Sequence, residues 1–186
     1  MEGLVSMRIL AFAASNSSVS INQQLAEYAA SLAEGCKVET LDVHDYEMPI
    51  YRHDREEADG IPQLAHDFLA RIEAADALIV SFAEHNGTYS AAFKNLFDWC
   101  SRVHGKVWQD KPMALLATSP GGRGAKSVLE FAVNSAPRFG ANVVGHLSVP
   151  SFGDNFDRDA RMLINSSLQK ELRLLVADLV AELKKA

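Results

Sequence analysis

The feature that most constrains the fold is a regular alternation between short apolar runs and longer amphipathic segments. Five short β-rich runs have the length of strands, the second of them alternating between polar and apolar residues, and between them lie segments with apolar residues at helical spacing. The predicted strands are MRILAFA (residues 7–13), KVETLDV (ending near residue 43), ALIVSFA, PMALLATS and NVVGHLSV. The predicted helices are residues 22–33, about 62–74, SAAFKNLFDWCSRV, 126–139 and 165–185. This alternation predicts an α/β fold of three layers, with a parallel sheet between two layers of helices.

The strand order predicts where a ligand would bind. Five such units favour a doubly wound sheet in the order 2-1-3-4-5, in which ligands bind beyond the carboxyl ends of the strands near the change of order. The loops at that place follow strands one, three and four, and they read ASNSSVSIN, AEHNGTYS and TSPGGRGA. All three are rich in Gly, Ser, Thr and Asn, so we expect the site there. Because no repeat, linker or low-complexity segment interrupts the pattern, we expect residues 1–186 to form one domain.

The bulk composition excludes several classes of partner. The chain has 186 residues and a formal net charge of −6, which disfavours non-specific nucleic-acid binding. Its two cysteines, Cys36 and Cys100, have neither a CxxC nor a zinc spacing, and we predict no metal site. No apolar run approaches the ~20 residues of a membrane span, and the first residues lack the basic region of an export signal. We therefore expect a cytoplasmic protein that does not bind membranes.

The first loop has the composition of an anion site. Six of the eight residues from Ser15 to Asn22 are Ser or Asn, directly before a predicted helix. A helix N-terminus offers free N–H groups and a partial positive charge, and hydroxyl and amide groups add further donors. The loop contains neither GxxxxGK[ST] nor GxGxxG. The alternative to phosphate binding is helix capping, for which Ser and Asn are also favoured.

The second and third loops allow a close approach of backbone to a ligand. Asn86-Gly87 is a turn signal, and the glycines around Arg123 let backbone N–H groups come near a ring or carbonyl. The alternatives are a plain turn for each loop. Glu84 could brace its loop, contact a second subunit or touch a ligand, and Arg123 could meet a phosphate of a second substrate or face solvent.

With the three loops assembled, the chain resembles the NADPH-dependent FMN reductase family, whose flavodoxin-like members include quinone and chromate reductases. The family's G-S-x-R-x-x-S-x-N resembles residues 14–22, its P-E-Y-N-x-S resembles residues 83–88, and its K-N-x-x-D-W resembles residues 94–99. Its S-x-G-G-x-G resembles residues 119–124, and its P-x-Y-x-x-D resembles residues 49–54. The departures are Ala14 for glycine, Ser17 for the arginine that would partner a phosphate, Ala83 for proline and His85 for tyrosine.

The resemblance implies a flavodoxin-like, FMN-binding domain that passes hydride from NADPH to FMN and then electrons to an acceptor, most simply a quinone. Its implied cofactor contacts are Ser15, Ser17, Ser20, Ile21 and Asn22 on the first loop, Glu84, His85, Asn86 and Gly87 on the second, and Ser119, Pro120, Gly121 and Gly122 on the third. It implies no catalytic side chain, because the flavin carries the chemistry.

The resemblance also implies a homodimer or homotetramer with the flavin near a subunit boundary. The helix SAAFKNLFDWCSRV carries Phe93, Leu96, Phe97 and Trp99, and we expect part of this apolar group in the interface. Two rival functions stay open. One is a non-catalytic electron carrier or flavin-binding regulator. The other is a serine hydrolase or transferase, which the lack of a GxSxG elbow disfavours.

Overall fold

The central sheet has the predicted strand order. The computed structural model describes residues 7–185 and contains a five-stranded parallel sheet in the order β2-β1-β3-β4-β5. The strands are β1 (Arg8–Ala14), β2 (Lys37–Thr40), β3 (Ala77–Phe82), β4 (Pro112–Thr118) and β5 (Asn142–Val149). β1 pairs with β3 from Ile9 opposite Ala77 to Ala14 opposite Phe82, which ends both strands at one edge.

Within residues 7–185, seven α-helices and a short hairpin accompany the sheet. The helices are α1 (Ile21–Ser31), α2 (His53–Asp59), α3 (Gln63–Glu73), α4 (Ala91–Val103), α5 (Lys126–Ser135), α6 (Phe152–Asn155) and α7 (Ser166–Leu183). The hairpin pairs β6 (Phe156–Asp157) with β7 (Met162–Leu163) in antiparallel fashion. Among residues 7–185, none of these helices combines the length and the apolar character needed to cross a membrane.

Each face of the sheet has its own core, because side chains alternate along a strand. On β1, Leu10 and Phe12 pack with the cluster under α3, α4 and α5. Ile9 and Ala11 of the same strand pack with the cluster under α1 and α7. Strands buried on both faces need apolar residues at every position, which is why the sequence pattern predicted them correctly.

Two segments are more structured than the sequence pattern predicts. The polar stretch after β2 contains a 3₁₀ turn (Val43–Tyr46) and α2, and the stretch after β5 contains α6 and the hairpin. Every residue of α2 is exposed or half-buried. A helix without a buried face has no apolar periodicity, so its sequence gives no helical signal.

The expectation that part of the apolar face of α4 lies in a subunit interface is wrong. Phe93, Leu96, Phe97 and Trp99 are all buried within this chain, the most exposed of them at 8%. Trp108 lies 5.5 Å from Phe97 between ring centroids, and Phe139 lies 4.9 Å from it. These two rings come from the segments after α4 and α5, and they cover the side of α4 that we expected to be free.

Candidate functional site

Loops from three adjacent strands meet at the carboxyl edge of the sheet. β1, β3 and β4 are neighbours, and the serine-rich, Asn-Gly and Gly-rich loops leave their ends. Ser90, the N-cap of α4, donates its hydroxyl to the carbonyl of Ala14 at 3.0 Å and accepts from the N–H of Phe93 at 3.2 Å. The end of β1 and the start of α4 are therefore held together.

Asn22 is the side chain that ties the start of α1 to the ends of two strands, β3 and β4. Its Nδ2 donates to the carbonyl of Thr118 at 3.1 Å, and its Oδ1 accepts from the hydroxyl of Ser81 at 2.7 Å and from the N–H of Thr118 at 3.0 Å. The residue is only 3% exposed. We expected this amide to contact a ligand, but it is occupied by β3 and β4. What Asn22 can offer a ligand is its backbone N–H in the first turn of α1.

The serine hydroxyls of the first loop accept hydrogen bonds from the loop's own backbone. Ser15 Oγ accepts from the N–H of Ser17 at 3.2 Å, and Ser17 Oγ accepts from the N–H of Val19 at 3.4 Å. Ser20 is the N-cap of α1 and accepts from the N–H of Gln23 at 3.1 Å. A hydroxyl that accepts in this way still has its own O–H to donate. Capping and anion binding are thus compatible uses of the same side chains.

The start of α1 also has free backbone donors. Among residues 7–185, the N–H groups of Ile21 and Asn22 have no protein acceptor, as expected for the first turn of a helix. The hydroxyl-bearing residues Ser15, Ser17 and Ser20 line one small cavity beside the start of α1. This donor set fits a phosphate monoester.

The second loop is a tight turn that Glu84 holds in place. His85 and Thr88 exchange two backbone hydrogen bonds of 3.0 and 3.2 Å, and Asn86 and Gly87 between them have φ of 52° and 82°. Positive φ at both central positions is the type I′ turn that Asn-Gly favours. Glu84 Oε2 accepts from the N–H of Val128 at 3.0 Å, in the first turn of α5. Of the three roles open to Glu84, the structure therefore shows a bracing contact.

The third loop is fastened to the start of α6. The carbonyls of Ser119 and Gly121 accept from the N–H groups of Phe152 at 3.1 Å and Ser151 at 3.0 Å, and Ser119 Oγ donates to the carbonyl of Gly121 at 3.2 Å. Pro120, Gly121 and Gly122 are exposed. With the exposed turn at residues 85–88 they form an open shelf, defined here as residues 84–88 and 119–122.

Two cavities adjoin the first loop, one on each side of it. The smaller, of about 200 Å³, is lined by Ser15, Ser17, Ser18, Val19, Ser20, Gln23, Gln24, Glu27, Asp42 and Arg161. The larger, of about 370 Å³, lies between Asn16, the segment 43–51 and the first two turns of α4. The shelf residues line neither cavity. The smaller cavity is thus bordered by the serine-rich loop, whereas the shelf residues 85–88 and 120–122 are exposed.

The larger cavity is shaped by a motif whose role the sequence did not reveal. Asn95 Nδ2 donates to the carbonyls of Met48 at 3.0 Å and Pro49 at 3.2 Å, and its Oδ1 accepts from the N–H of Tyr51 at 2.8 Å. Trp99 Nε1 donates to the carbonyl of Pro49 at 2.8 Å. The K-N-x-x-D-W segment therefore anchors the wall of this cavity. The sequence signal that could have revealed this role is an Asn and a Trp one helical turn apart on the same predicted helix.

Ionisable groups near that wall are shifted by their surroundings. Desolvation raises the pKa of Tyr46, which lines the larger cavity. The hydrogen bond from Arg102 lowers the pKa of Glu56, whose Oε2 lies 2.9 Å from Arg102 Nε. Glu56 also accepts from the hydroxyl of Tyr51 at 3.0 Å. These contacts tie α2 to α4 behind the cavity.

Comparisons with known proteins agree with this geometry. A rice protein described as a probable NADPH:quinone oxidoreductase is 32% identical over 135 residues, which cover 69% of this chain and 65% of that protein. An NAD(P)H-dependent FMN reductase of Pseudomonas aeruginosa is 32% identical over 116 residues, covering 62% of this chain and 61% of that protein. The matches thus span less than two thirds of these relatives. The structure of FerB, a flavoenzyme NAD(P)H:acceptor oxidoreductase from Paracoccus denitrificans, superposes with a TM-score of 0.75 at 27% identity, over 96% of this chain and 98% of that one.

The family assignment rests on the match over the sheet and its loops. The model of the NADPH-dependent FMN reductase family matches residues 7–154, which include all five strands and all three loops of the edge described above. The family resemblance read from the sequence is thereby confirmed. This chain belongs to the NADPH-dependent FMN reductase family.

Proposed function

We propose that this protein is an FMN-dependent NAD(P)H oxidoreductase that passes electrons to a quinone or a similar small acceptor. The observation that carries the proposal is the donor-lined start of α1, beside the open shelf on the neighbouring strand ends. The family match and the named relatives support the same reaction class.

The phosphate of FMN would be held by the first loop. The hydroxyls of Ser15, Ser17 and Ser20 and the N–H groups of Ile21 and Asn22 are its donors. The partial positive charge at the start of α1 favours the dianion there. The side chain of Asn22 acts indirectly, because its three hydrogen bonds keep the loop on β3 and β4.

The ribityl chain and the ring would lie along the shelf. Glu84, His85, Asn86 and Gly87 form one side of it, and Ser119, Pro120, Gly121 and Gly122 form the other. When bound, FMN supplies hydride acceptance from NADPH and electron delivery to the acceptor. The protein's part is to bind and orient the flavin, and no side chain is assigned as an acid or base.

A homodimer or homotetramer would complete the shelf. The shelf is open to solvent, and the chain exposes large apolar side chains, among them Ile50 at 78% beside the larger cavity and Phe131 at 48% on α5. A second copy over this edge would shield both the ring and these side chains. Light scattering after gel filtration would give a mass of two or four chains, and a single species at the mass of one chain contradicts this assembly.

The experiment that tests the reaction is NADPH oxidation by the FMN-loaded protein with a simple benzoquinone. The proposal expects turnover that depends on protein, FMN and quinone together. Tight FMN binding without turnover would instead favour an electron carrier or flavin-binding regulator. The presence of Ser17 and His85 in place of the family's arginine and tyrosine supports that rival.

We also propose that the protein is a single domain located in the cytoplasm. Its two free thiols support a reducing compartment.

A further inference from the structure

An arginine from the far end of the chain lies at the phosphate cavity. Arg161 ends the turn between β6 and β7, with φ of 54°, and it lines the smaller cavity together with Ser15, Ser17 and Ser20. It follows the region that the family model matches, which ends at residue 154. Of the residues that line this cavity, it is the one with a positive charge.

The hairpin that carries Arg161 is fixed against α1. The ring of Phe156 meets Tyr28 of α1 edge-on, with centroids 6.0 Å apart, and stacks on Phe152 at 4.6 Å. Within the turn, Asp157 Oδ1 accepts from the N–H groups of Asp159 and Ala160, both at 2.9 Å. The backbone at Arg161 is therefore held in place, whereas its side chain is 70% exposed and free to change partner.

In the structure described here, the guanidinium is paired with a carboxylate of the same cavity. Arg161 Nη2 lies 2.6 Å from Glu27 Oε2, and Glu27 also accepts from Gln23 Nε2 at 3.1 Å. The second carboxylate of the cavity, Asp42, caps the 3₁₀ turn by accepting from the N–H of His44 at 2.9 Å. Two carboxylates and one guanidinium leave the cavity with a net negative charge, so Arg161 is the group that can offset an incoming anion.

A phosphate monoester competes well for such a guanidinium. It carries about −1.5 to −2 charges near neutral pH and three acceptor oxygens, against one charge on Glu27. Arginine pairs with phosphate through two parallel hydrogen bonds. Because Arg161 lines one cavity with Ser15, Ser17 and Ser20, a phosphate held by those three hydroxyls would lie in the space that the arginine already borders.

We propose that Arg161 leaves Glu27 to bind the phosphate of the flavin, and that it supplies the positive charge that Ser17 does not. Glu27 pairs with Arg161 in the absence of flavin and competes with the phosphate for its guanidinium. This inference rests on the proposed function, since it assumes that FMN is the ligand.

The test compares FMN with riboflavin, which has no phosphate, by fluorescence-quenching titration of wild type, Arg161→Gln and Glu27→Gln. Arg161→Gln is expected to raise the Kd for FMN about tenfold or more, because a charge-assisted hydrogen bond is lost. Glu27→Gln is expected to lower the Kd for FMN, because it removes the competitor. The Kd for riboflavin is expected to stay unchanged in both.

Two matched variants control for charge. Arg158→Gln removes the same charge from the same hairpin, where Arg158 lies over the ring of Phe152 at 5.7 Å and outside the cavity. Glu34→Gln removes the same charge beyond the other end of α1, also outside that cavity. Both are expected to leave the Kd for FMN within about twofold of wild type, because neither side chain lines the cavity and salt screens exposed charges.

The opposite changes in the Kd for FMN that are expected for Arg161→Gln and Glu27→Gln distinguish a ligand-binding role of Arg161 from a structural one. If the ion pair only fastens the hairpin, Arg161→Gln and Glu27→Gln break the same contact and weaken FMN and riboflavin alike, which overturns the inference. An unchanged Kd for FMN in Arg161→Gln overturns it as well and leaves the proposed function standing. A wild-type protein that binds neither flavin overturns both proposals.

Discussion

At the scale of single residues, the side chain of Asn22 makes more hydrogen bonds to neighbouring strands than any serine of the first loop. Its one side chain joins the start of α1 to Ser81 on β3 and to Thr118 on β4. Buried polar groups are costly when they lack partners, so the amide favours the arrangement in which the start of α1 lies against the ends of β3 and β4. The position of the serine-rich loop depends on this buried contact.

Asn22→Ala is therefore expected to destabilise the protein by about 1–3 kcal/mol, because the hydroxyl of Ser81 and the backbone of Thr118 lose their buried partner. Equilibrium unfolding in urea measures the change. Asn134→Ala, at an exposed position of α5, is the matched control and should change the free energy of unfolding by less than about 0.5 kcal/mol. Equal effects of the two substitutions would show that the network around Asn22 contributes little.

His85→Ala is expected to leave turnover of the flavin-loaded protein within about tenfold of wild type, whereas loss of a general acid or base typically costs about 10²–10⁴. The reason is that His85 is an exposed turn residue, and its backbone hydrogen bonds to Thr88 do not need the imidazole. Steady-state quinone reduction at saturating FMN measures the turnover of His85→Ala and of wild type. A drop of several orders of magnitude with FMN still bound would make His85 a catalytic residue.

The two thiols are expected to react with a thiol reagent at very different rates. Burial raises the pKa of Cys100 to about 12, and its side chain is 0% exposed. The thiolate is the reactive form, so Cys100 stays protonated and unreactive near neutral pH. Cys36 is partly exposed, although desolvation also raises its pKa.

Labelling of the folded protein at about pH 8 should give one reactive thiol, and labelling in denaturant should give both. Cys36→Ser should abolish the reaction of the folded protein. If Cys100→Ser abolished it instead, the burial of α4 against α3 would be incorrect.

At the scale of elements, the loop after β4 depends on one glycine rather than on all of them. Gly124 has φ of 60°, and a Cβ there would lie 2.9 Å from Pro150 N and in close contact with Ser148 Oγ. A Cβ at Gly121 would meet open space. Left-handed φ and a tight approach both require glycine at position 124.

Gly124→Ala should thus lower the free energy of unfolding by about 1–3 kcal/mol, whereas Gly121→Ala should leave it nearly unchanged. Thermal melts of the two variants beside wild type measure the difference. If both variants melted at the wild-type temperature, the loop would not be packed against the end of β5 as described.

The elements differ in how far the sequence predicts them. The strands β1, β3 and β4 and the helices over them were predictable because burial requires apolar residues at regular spacing, as in β3, which is buried throughout. The strand β2 is mostly exposed, and its prediction rested on alternation along the run that contains it. The helix α2 and the hairpin β6–β7 lack such spacing. They are held by particular contacts, such as Glu56 with Arg102 and Phe156 with Tyr28.

At the scale of the whole molecule, the proposed site is the edge where neighbouring strands end, and the strand order alone predicted that these three loops would meet there. The partners within the site could not be predicted. Glu84 contacts Val128, Asn22 contacts Thr118, and Arg161 contacts Glu27, and each pair joins residues far apart in the chain. Only the packed fold brings them together, so a sequence pattern identifies the loops but not their hydrogen bonds.

Binding of FMN at this edge through its phosphate is tested most directly by a fluorescence-quenching titration of FMN with the purified wild-type protein, repeated with riboflavin. We predict saturable quenching with a Kd of about 1 μM or below for FMN, near −8 kcal/mol, and clearly weaker binding of riboflavin. Absence of FMN binding, or equal affinity for the two flavins, would contradict the phosphate site at the start of α1.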